Sequence, residues 1–340
     1  MRKSRVTGHD VAKAAGVSHN TVSLVVRDSP LVTPETKARV RAIIDEMGYQ
    51  RNDVAMVLRS ARSRTIGYLL PEDSAEAEVD VFRNQVLKAV TVCAEAHNYY
   101  VLLDLFSDAQ SGISLMSSGR IDALLVDGRI PNESLLKLAA RNLPLVLVGR
   151  DAGDLPISWV KADEEGGAFQ VTSHLIEQGH QRIAWIAAGE AEHYIVSQRE
   201  RGYRRALEVA GLQIEAASIV RGDWTFESGF ALGYQLLTSS PRPTALFVVT
   251  ELMAAAVLQA ARTLGLRVPE DVSIVTIGDS FWSQYVQPAL TTVQVPMKAV
   301  GTRATELLFQ SINEDLPSPQ QIVLPTTLIV RDSSKRVGNK

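Results

Sequence analysis

Apolar positions in the first fifty residues recur at helical spacing and predict three short helices. Val11, Ala12 and Ala15 form one face of the first helix, which Thr7 can cap. Gly16 can adopt the left-handed conformation that ends this helix. The second and third helices have apolar faces at helical spacing, formed by Val22, Val25, Val26, Val40, Ile43, Ile44 and Met47.

The segments that join these helices predict a helix-turn-helix. Ser18 can cap the second helix two residues after Gly16, and two short helices joined by a tight glycine-containing turn form this motif. Thr33 and Pro34 give the third helix a strong start, and Gly48 ends it. A small helical hairpin without a ligand is the alternative interpretation. Base edges in a major groove would lie against the side of the second helix that carries His19, Asn20, Ser23 and Leu24.

Beyond residue 64 the chain alternates short apolar runs with longer helical patterns. The runs that predict strands are Ile66–Leu70, Tyr100–Leu105, Ala123–Val126, Leu145–Val148, Ile183–Ala187, Ala245–Val249 and Ser273–Ile277. The helical patterns cover residues 79–97, 133–142, 166–178, 199–210, 226–238 and 251–264. The alternation predicts an α/β fold in which two doubly wound parallel-sheet lobes follow the all-α head. Ligands of such folds bind beyond the carboxyl ends of the strands, here between the lobes.

Charge is distributed unevenly along the chain. The 340 residues have a net charge of −3, but residues 1–64 hold twelve Lys and Arg against six Asp and Glu, a net of +6. Residues 65–340 hold 23 against 32, a net of −9. A basic N-terminal module on an acidic body is typical of a nucleic-acid-binding head whose body avoids phosphate.

The sequence also disfavours several classes of protein. Cys93 is the single cysteine, so no disulfide framework can form. No apolar run approaches about 18 residues, and none follows the basic N-terminus, so we expect no membrane span, no secretory signal and a cytoplasmic protein. The chain has no nucleophile elbow, phosphate loop or metal-spaced His and Cys set. An enzyme is therefore disfavoured, and we expect no catalytic residue, metal or cofactor.

The motifs of the chain resemble those of LacI/GalR-type transcriptional regulators. In the head the matching residues are Thr7, Asp10-Val11-Ala12, Ala15-Gly16-Val17-Ser18, Thr21-Val22-Ser23, Val25, Thr33-Pro34-Glu35-Thr36, Gly48-Tyr49 and Asn52. In the body they are Gly179-His180-Gln181-Arg182-Ile183, Arg199, Gly202-Tyr203, Gly222-Asp223-Trp224, the run from Leu266 to Ser273, Leu290-Thr291-Thr292-Val293 and Ile329-Val330-Arg331. The resemblance covers nearly the whole chain.

This resemblance implies a domain layout and a set of partners. Residues 1–51 would form the head, residues 52–64 a hinge helix and linker, and residues 65–340 an effector-binding and dimerisation body like a type I periplasmic binding protein. The body would cross between lobes three times, which gives lobe one about 65–162 and 293–322, and lobe two about 163–290 and 323–335. The partners implied are double-stranded operator DNA of near-palindromic sequence, a second copy in a homodimer, and a small-molecule effector such as a sugar or sugar derivative. Most often such a protein is a repressor.

The resemblance and side-chain chemistry together indicate DNA contacts in the head. His19, Asn20 and Leu24 fall where the family's recognition helix meets bases, and an asparagine can make paired hydrogen bonds to adenine. Leu24 could contact a thymine methyl group or pack without touching DNA. The residues better suited to phosphates, which set the register of binding, are Thr7, Ser18, Thr21 and Arg27.

The hinge segment provides a second set of predicted DNA contacts. Asn52 can cap a short helix, and Ala55 is small enough for close approach by a second hinge helix or a groove wall. Leu58 matches the leucine that the family inserts into the minor groove, where an apolar side chain can kink the duplex. The alternative is that Leu58 only packs against its own helix.

Three residues of the body stand where the family binds small molecules, and they predict an effector site. Arg199 could hold a hydroxyl, carboxylate or phosphate group, and Trp224 offers a flat face to a sugar ring. Arg150 keeps a family position after the fourth predicted strand. The structural alternative is that Arg199 forms an inter-lobe salt bridge and that Trp224 belongs to the core.

The cleft residues also depart from the family pattern. Thr250-Glu251 replaces an Asn-Asp pair, Gly278-Asp279 replaces a pair of aspartates, and Gly149 replaces an aspartate. Either the ligand is not a free sugar, or Glu251 and Asp279 recreate a polar site, or the response to ligand has been lost. An effector-independent regulator is thus an alternative, whereas a solute-binding protein for transport is disfavoured by the DNA-binding head.

Overall fold

The computed structural model describes residues 6–26, 28–49, 62–71, 81–106, 108–141, 143–214, 218–313 and 318–337. The chain divides into two compact units, residues 1–63 and 64–340, called the head and the body below. Some of the predicted DNA contacts lie outside the described residues, namely Arg27, Asn52, Ala55 and Leu58.

The head contains three helices, which are α1 (Gly8–Ala15), α2 (His19–Val26) and α3 (Pro34–Met47). Helix α1 begins with a capping box, because Thr7 and Asp10 each bind the other's backbone N–H group. Gly16 ends this helix with a φ angle of 63°, a conformation that costs glycine little. The three helices enclose a small core formed by Val11, Ala12, Ala15, Val22, Val25, Val32 and Val40.

Two six-stranded sheets, numbered here in chain order, form the body. The first contains β1 (Thr65–Pro71), β2 (Tyr100–Phe106), β3 (Ala123–Asp127), β4 (Leu145–Val148), β5 (Ser158–Ala162) and β11 (Gln321–Leu324). The second contains β6 (Ile183–Ala188), β7 (Ile219–Gly222), β8 (Ala245–Val248), β9 (Ser273–Ile277), β10 (Thr291–Gln294) and β12 (Thr327–Ile329). The strand orders are β11-β5-β4-β3-β1-β2 and β12-β10-β9-β8-β6-β7, so each sheet is doubly wound as predicted.

Each sheet is covered by its own helices and forms one lobe. Those of the first lobe are α4 (Val81–Ala96), α5 (Ala109–Ser117), α6 (Asn132–Ala139) and α11 (Met297–Ile312). Those of the second lobe are α7 (Glu164–Glu177), α8 (Tyr194–Val209), α9 (Phe226–Thr238) and α10 (Glu251–Thr263), with a short 3₁₀ helix at Phe281–Gln284. Helices α4 and α11 pack closely at Gly301, where a Cβ atom would stand 2.6 Å from the carbonyl oxygen of Val86.

Strand pairing corrects the lobe boundaries in two places. Val293 pairs with Ile277 in the second sheet, and Gln294 follows in the same strand, so the crossing falls after Gln294. Leu324 pairs with Ala162 in the first sheet, two residues beyond the predicted end of that lobe. The shifts arise because β10 and β11 each continue to pair with a neighbouring strand of their own sheet past the predicted crossing. Strand β12 is antiparallel to β10, an exception to the predicted parallel pairing.

Several elements are absent from the sequence prediction. The predicted ranges do not include helices α5 and α11 or strands β5, β7, β10, β11 and β12. Helix α8 begins at Tyr194, five residues before its predicted start at residue 199. Neither α8 nor α11 has a side-chain cap at its N-terminus, so the local signal that marks the start of a helix is missing.

Candidate DNA interface and effector cleft

The second helix of the head presents a polar, accessible face. Val22 and Val25 point into the head core, which leaves Asn20 exposed, and among the described residues its amide has no hydrogen-bond partner. Leu24 is half-buried and packs partly on the head core. An exposed amide on a rigid helix can form two hydrogen bonds with a base edge.

His19, at the start of α2, is held by its neighbours in the head. Its ring stacks on His9 with 4.4 Å between centroids. A Cβ atom at Gly8 would stand 2.9 Å from the Nε2 atom of His19, so only a glycine allows the imidazole to lie this close to the start of α1. The sequence prediction missed His9. The available signal was a polar side chain near the start of α1 to which the prediction gave no role.

The hydroxyl groups predicted to contact phosphate also cap the helices. The Thr7 hydroxyl donates to Asp10 at 2.7 Å, and this pairing lowers the pKa of Asp10. The Ser18 hydroxyl accepts from the backbone N–H of Thr21 at 3.0 Å and lies 2.9 Å from the Thr21 hydroxyl. Thr7 and Ser18 are both exposed, so these groups can meet a ligand at the N-terminal ends of α1 and α2 while they cap.

In the body, Arg199 is buried within the second lobe and only 7% exposed. Its Nε atom donates to the Glu164 carboxylate at 2.8 Å, and its Nη1 atom donates to the carbonyl oxygen of Val249. Glu164 begins α7 and is also buried. The salt bridge therefore lies inside the second lobe and does not join the two lobes.

Arg150 is engaged in the same way within the first lobe. Its guanidinium donates to the carbonyl oxygens of Gly128, Ile130 and Asp151, the last two at 2.7 and 3.0 Å. Burial lowers the pKa of Arg150, and the charge of Asp151 acts in the opposite direction. These contacts tie together the loops that follow β3 and β4.

The two carboxylates predicted to recreate a polar site have protein partners as well. Glu251 accepts hydrogen bonds from the backbone N–H of Ser280 at 2.8 Å, from the Ser280 hydroxyl at 3.0 Å and from the Ser283 hydroxyl. Asp279 accepts from Arg331 at 2.5 Å and from Thr292 at 3.0 Å. The first carboxylate holds the 3₁₀ segment, and the second holds β10 against the chain after β12.

Trp224 lies at the edge of the second lobe, half-buried against its apolar clusters. Its ring is 5.2 Å from that of His193, at an interplanar angle of 60°. Gly189 lies beneath the indole, which leaves 3.0 Å between the indole nitrogen and the place of a Cβ atom. Of the five predicted effector residues, Trp224 makes the fewest polar contacts with other described residues.

A cavity of about 600 Å³ lies where β10 leads into α11. Its lining includes Asp279, Gln294, Met297, Lys298 and Leu324. Of the predicted effector residues only Asp279 reaches it. The cavity thus belongs to the second crossing between the lobes, after Gln294, and does not bring the predicted set together.

The sequence prediction missed three polar residues where the lobes meet. Asp151 follows β4, Lys161 lies in β5 and Tyr194 begins α8, and their polar atoms form a closed hydrogen-bonded group. A lysine among the apolar residues of β5 was the available signal. Within the described ranges no helix is long and apolar enough to span a membrane, and no group of His, Cys, Asp and Glu is placed to hold a metal ion.

A three-helix head and a two-lobed body together define a helix-turn-helix regulator whose body has the fold of a periplasmic binding protein. Residues 7–52 match the profile described as bacterial regulatory proteins, lacI family, and residues 172–334 match a periplasmic binding protein-like domain. The chain is 32% identical over 335 residues to catabolite control protein A of Priestia megaterium, which covers 97% of this chain and 99% of that protein. It is also 32% identical over 340 residues to the transcriptional repressor CytR of Escherichia coli K12, with 98% of both covered.

Solved structures agree with these sequence matches. The lac repressor dimer bound to operator and the anti-inducer ONPF is similar with a TM-score of 0.84 and 26% identity, over 98% of this chain and 100% of that chain. A complex of the transcriptional regulator CelR with cellobiose gives a TM-score of 0.72 and 32% identity, over 97% and 100%. The chain therefore belongs to the LacI family of DNA-binding transcriptional regulators, and it is not an enzyme.

Proposed function

We propose that the protein is a homodimeric regulator, most simply a cytoplasmic repressor, that binds a near-palindromic operator through helix α2. The observation that carries this proposal is the exposed face of α2, where Asn20 presents an unengaged amide on a helix fixed by the head core. In this arrangement Asn20 and His19 contact bases, and Leu24 offers its exposed part to a thymine methyl. Phosphates are contacted by Thr7, Ser18, Thr21 and Arg27.

The hinge residues complete the proposed DNA contact. Asn52, Ala55 and Leu58 lie outside the described residues, and in this proposal they keep the roles that the family resemblance implies, with Leu58 as the contact in the minor groove. The net charge of +6 in residues 1–64 supports attraction of the head to DNA, and the net charge of −9 in residues 65–340 disfavours contacts between the body and phosphates. Affinity should fall steeply with salt, because each phosphate contact releases a condensed counterion.

The experiment that tests this proposal starts with selection of duplexes from a random library by the full-length protein. We expect a two-fold-symmetric consensus that binds far more tightly than a scrambled duplex. Asn20→Ala should weaken the consensus and leave binding to the scrambled duplex unchanged. If the selection yields no enriched sequence, the proposed function is rejected.

A cluster of exposed aromatic residues supports the proposed dimer. Phe281, Trp282 and Tyr285 are 61, 64 and 62% exposed, and the Phe281 ring lies within 5.1 Å of both neighbouring rings, centroid to centroid. Exposed apolar clusters of this kind mark protein–protein contacts. Trp282→Asp should shift the sedimentation of the protein toward the monomer, whereas the exposed control Leu136→Asp on α6 should not.

The cleft is proposed to bind a small molecule that modulates operator affinity, with Trp224 as the stacking face. The similar CelR structure contains cellobiose. In this chain Arg150, Arg199, Glu251 and Asp279 would shape the site and keep its loops in place, since their polar atoms already bind protein partners. The ligand would then be recognised mainly by ring stacking and by backbone groups.

The same engaged side chains favour a second candidate, an effector-independent regulator. A screen by thermal shift over sugars, sugar phosphates and nucleosides distinguishes the two. A ligand that raises the melting temperature in the parent protein but not in Trp224→Ala supports modulation. The absence of any shift across the panel, with operator binding intact, supports the effector-independent protein.

A further inference from the structure

Three side chains that the sequence prediction missed connect the two lobes directly. Asp151 and Lys161 belong to the first lobe, and Tyr194 belongs to the second. The Lys161 ammonium lies 2.7 Å from the Asp151 carboxylate and 2.8 Å from the Tyr194 hydroxyl. The Tyr194 hydroxyl lies 2.5 Å from the same carboxylate oxygen. These three residues are called the latch below.

The hydrogen-bonding capacity of the Tyr194 hydroxyl is used in full. It donates its proton to Asp151 and accepts from the Lys161 ammonium, and it also accepts a longer bond of 3.4 Å from the backbone N–H of Asp151. Two of the three groups are charged, and charge-assisted hydrogen bonds are about twice as strong as neutral ones. The phenol therefore completes an ion pair that already exists in the first lobe.

The surroundings of the latch strengthen it. The Lys161 side chain is only 16% exposed, and its ammonium lies 5.4 Å from the centre of the Trp159 ring and 5.5 Å from that of Tyr194. Burial alone would raise the pKa of Asp151, but hydrogen bonds from Lys161 and Tyr194 outweigh it and lower that pKa. The same bonds outweigh burial at Lys161 and raise its pKa. Both groups are therefore charged at neutral pH.

The latch differs from the other polar contacts around the cleft. Arg199 pairs with Glu164 inside the second lobe, and Asp279 pairs with Arg331 inside the same lobe. Those pairs stabilise one lobe and do not resist separation of the two. The bonds of the Tyr194 hydroxyl must break when the lobes separate, because Tyr194 belongs to the second lobe and its partners Asp151 and Lys161 belong to the first.

We propose that the latch holds the lobes together without a ligand, and that Tyr194 is its movable part. A small molecule that modulates the protein would act by displacing the Tyr194 hydroxyl or by adding to its bonds. The link to operator affinity rests on the proposed function, whereas the effect on lobe arrangement does not. In the effector-independent candidate, the latch would replace the ligand as the group that fixes the arrangement.

The lobe arrangement can be measured as a distance between two spin labels in the full-length protein. A Cys93→Ser background carries Glu133→Cys on α6 and Thr263→Cys on α10, both exposed. Dilution with unlabelled protein leaves only distances within one chain. Tyr194→Phe removes the hydroxyl and keeps the ring, and we expect longer and more widely spread distances than in the parent.

Tyr203→Phe is the matched control, because the Tyr203 hydroxyl donates to the Ile183 carbonyl within the second lobe. We expect its distances to equal those of the parent. Asp151→Asn is a second latch variant and should widen the distribution as Tyr194→Phe does. Lys161→Met combined with Tyr194→Phe should add little to either change alone, since both remove the same unit.

Unchanged distances in both Tyr194→Phe and Asp151→Asn would overturn the latch. Operator affinity is measured on the same proteins with the selected duplex, and we expect Tyr194→Phe to change it about five-fold or more relative to Tyr203→Phe. If the parent binds no duplex, the proposed function fails, yet the distances still report on the latch. Widened distances with unaltered operator affinity would keep the latch and remove its coupling to DNA.

Discussion

The head and the cleft use polar side chains in opposite ways. On α2, Asn20 is exposed, and its side-chain amide has no hydrogen-bond partner among the described residues. In the body, Arg199 and Glu251 are bound by groups from their own lobe. A binding surface needs groups whose hydrogen-bonding capacity is unused, whereas a buried charge needs a partner in the folded chain. The contrast supports the proposed recognition surface on the head and gives Arg199 and Glu251 a structural role in the body.

The contrast also shows that a residue at a family position does not always have the role that the family resemblance implies. Arg199 was predicted to bind a small molecule, but its charge is compensated by Glu164, 35 residues earlier in the chain. A residue can thus keep its identity while its surroundings decide whether it binds a ligand or a neighbouring helix. Experiments that separate stability from binding can test each side of the comparison.

The largest effect is expected at Arg199. Arg199→Met leaves the buried Glu164 carboxylate without its cation, which should lower the free energy of unfolding by about 3–5 kcal/mol, measured by urea denaturation of the full-length protein. Arg201→Met is the control on the same helix, where the side chain is 59% exposed, and it should cost less than about 1 kcal/mol. Equal losses in the two variants would mean that the Arg199 pair does not support the lobe.

The next effect concerns the head. Asn20→Ala should weaken binding to the selected operator by about 1–3 kcal/mol, because a pair of hydrogen bonds to a base is lost. Unfolding should not change, since the side chain is exposed. Asn132→Ala, at the exposed start of α6, is the matched control and should bind the operator as the parent does. Loss of stability without loss of affinity in Asn20→Ala would contradict the assignment.

Local signals explain why the sequence predicted the head well. Thr7, Gly16, Thr33 and Gly48 each mark one end of a helix, and all four act as caps in the structure. The alternation of apolar runs and helical patterns likewise predicted both doubly wound sheets, because it depends on residues close together in the chain. Features that depend on residues close together in the chain could therefore be predicted from the sequence.

Contacts between side chains far apart in the sequence could not be predicted in this way. Asp279 meets Arg331 from 52 positions away, and Tyr194 meets Asp151 from 43 positions away. No local pattern marks such partners, since they are set by how whole strands are placed. Strand β10 was missed for a related reason, because Thr291 and Thr292 are buried although they are polar. The residues around the cleft form contacts of this kind. The sequence therefore predicted which positions belong to the cleft but not which residues they contact.

A smaller effect is expected when Thr7 is replaced, and it distinguishes capping from phosphate contact. Thr7→Ala removes the cap of α1 and should lower head stability by about 1 kcal/mol. Thr33→Ala removes the cap of α3 at a similar cost, and Thr33 is not among the predicted DNA contacts. At a temperature where both heads are folded, only Thr7→Ala should weaken DNA binding, equally for operator and scrambled duplexes. Equal affinities in the two variants would restrict Thr7 to capping.

The smallest effect is a pH dependence of the stability of the body. His180 is buried, and its ring bonds to the hydroxyls of Thr244 and Ser273 and to the carbonyl of Lys335. Burial lowers the pKa of His180 below 6.5, and the neighbouring His174 acts in the same direction.

Because the folded state binds this proton less readily than the unfolded chain, the contribution of His180 to stability is complete above pH 6.5 and is lost as the pH falls below that value. Urea midpoints of the full-length protein should therefore decrease between pH 7.5 and pH 5. His180→Gln should be less stable at neutral pH and should show a shallower decrease. A slope unchanged by His180→Gln would assign the acid sensitivity to other groups. Thr244, Ser273 and Lys335 would then bind an imidazole whose protonation is the same in the folded and unfolded chains.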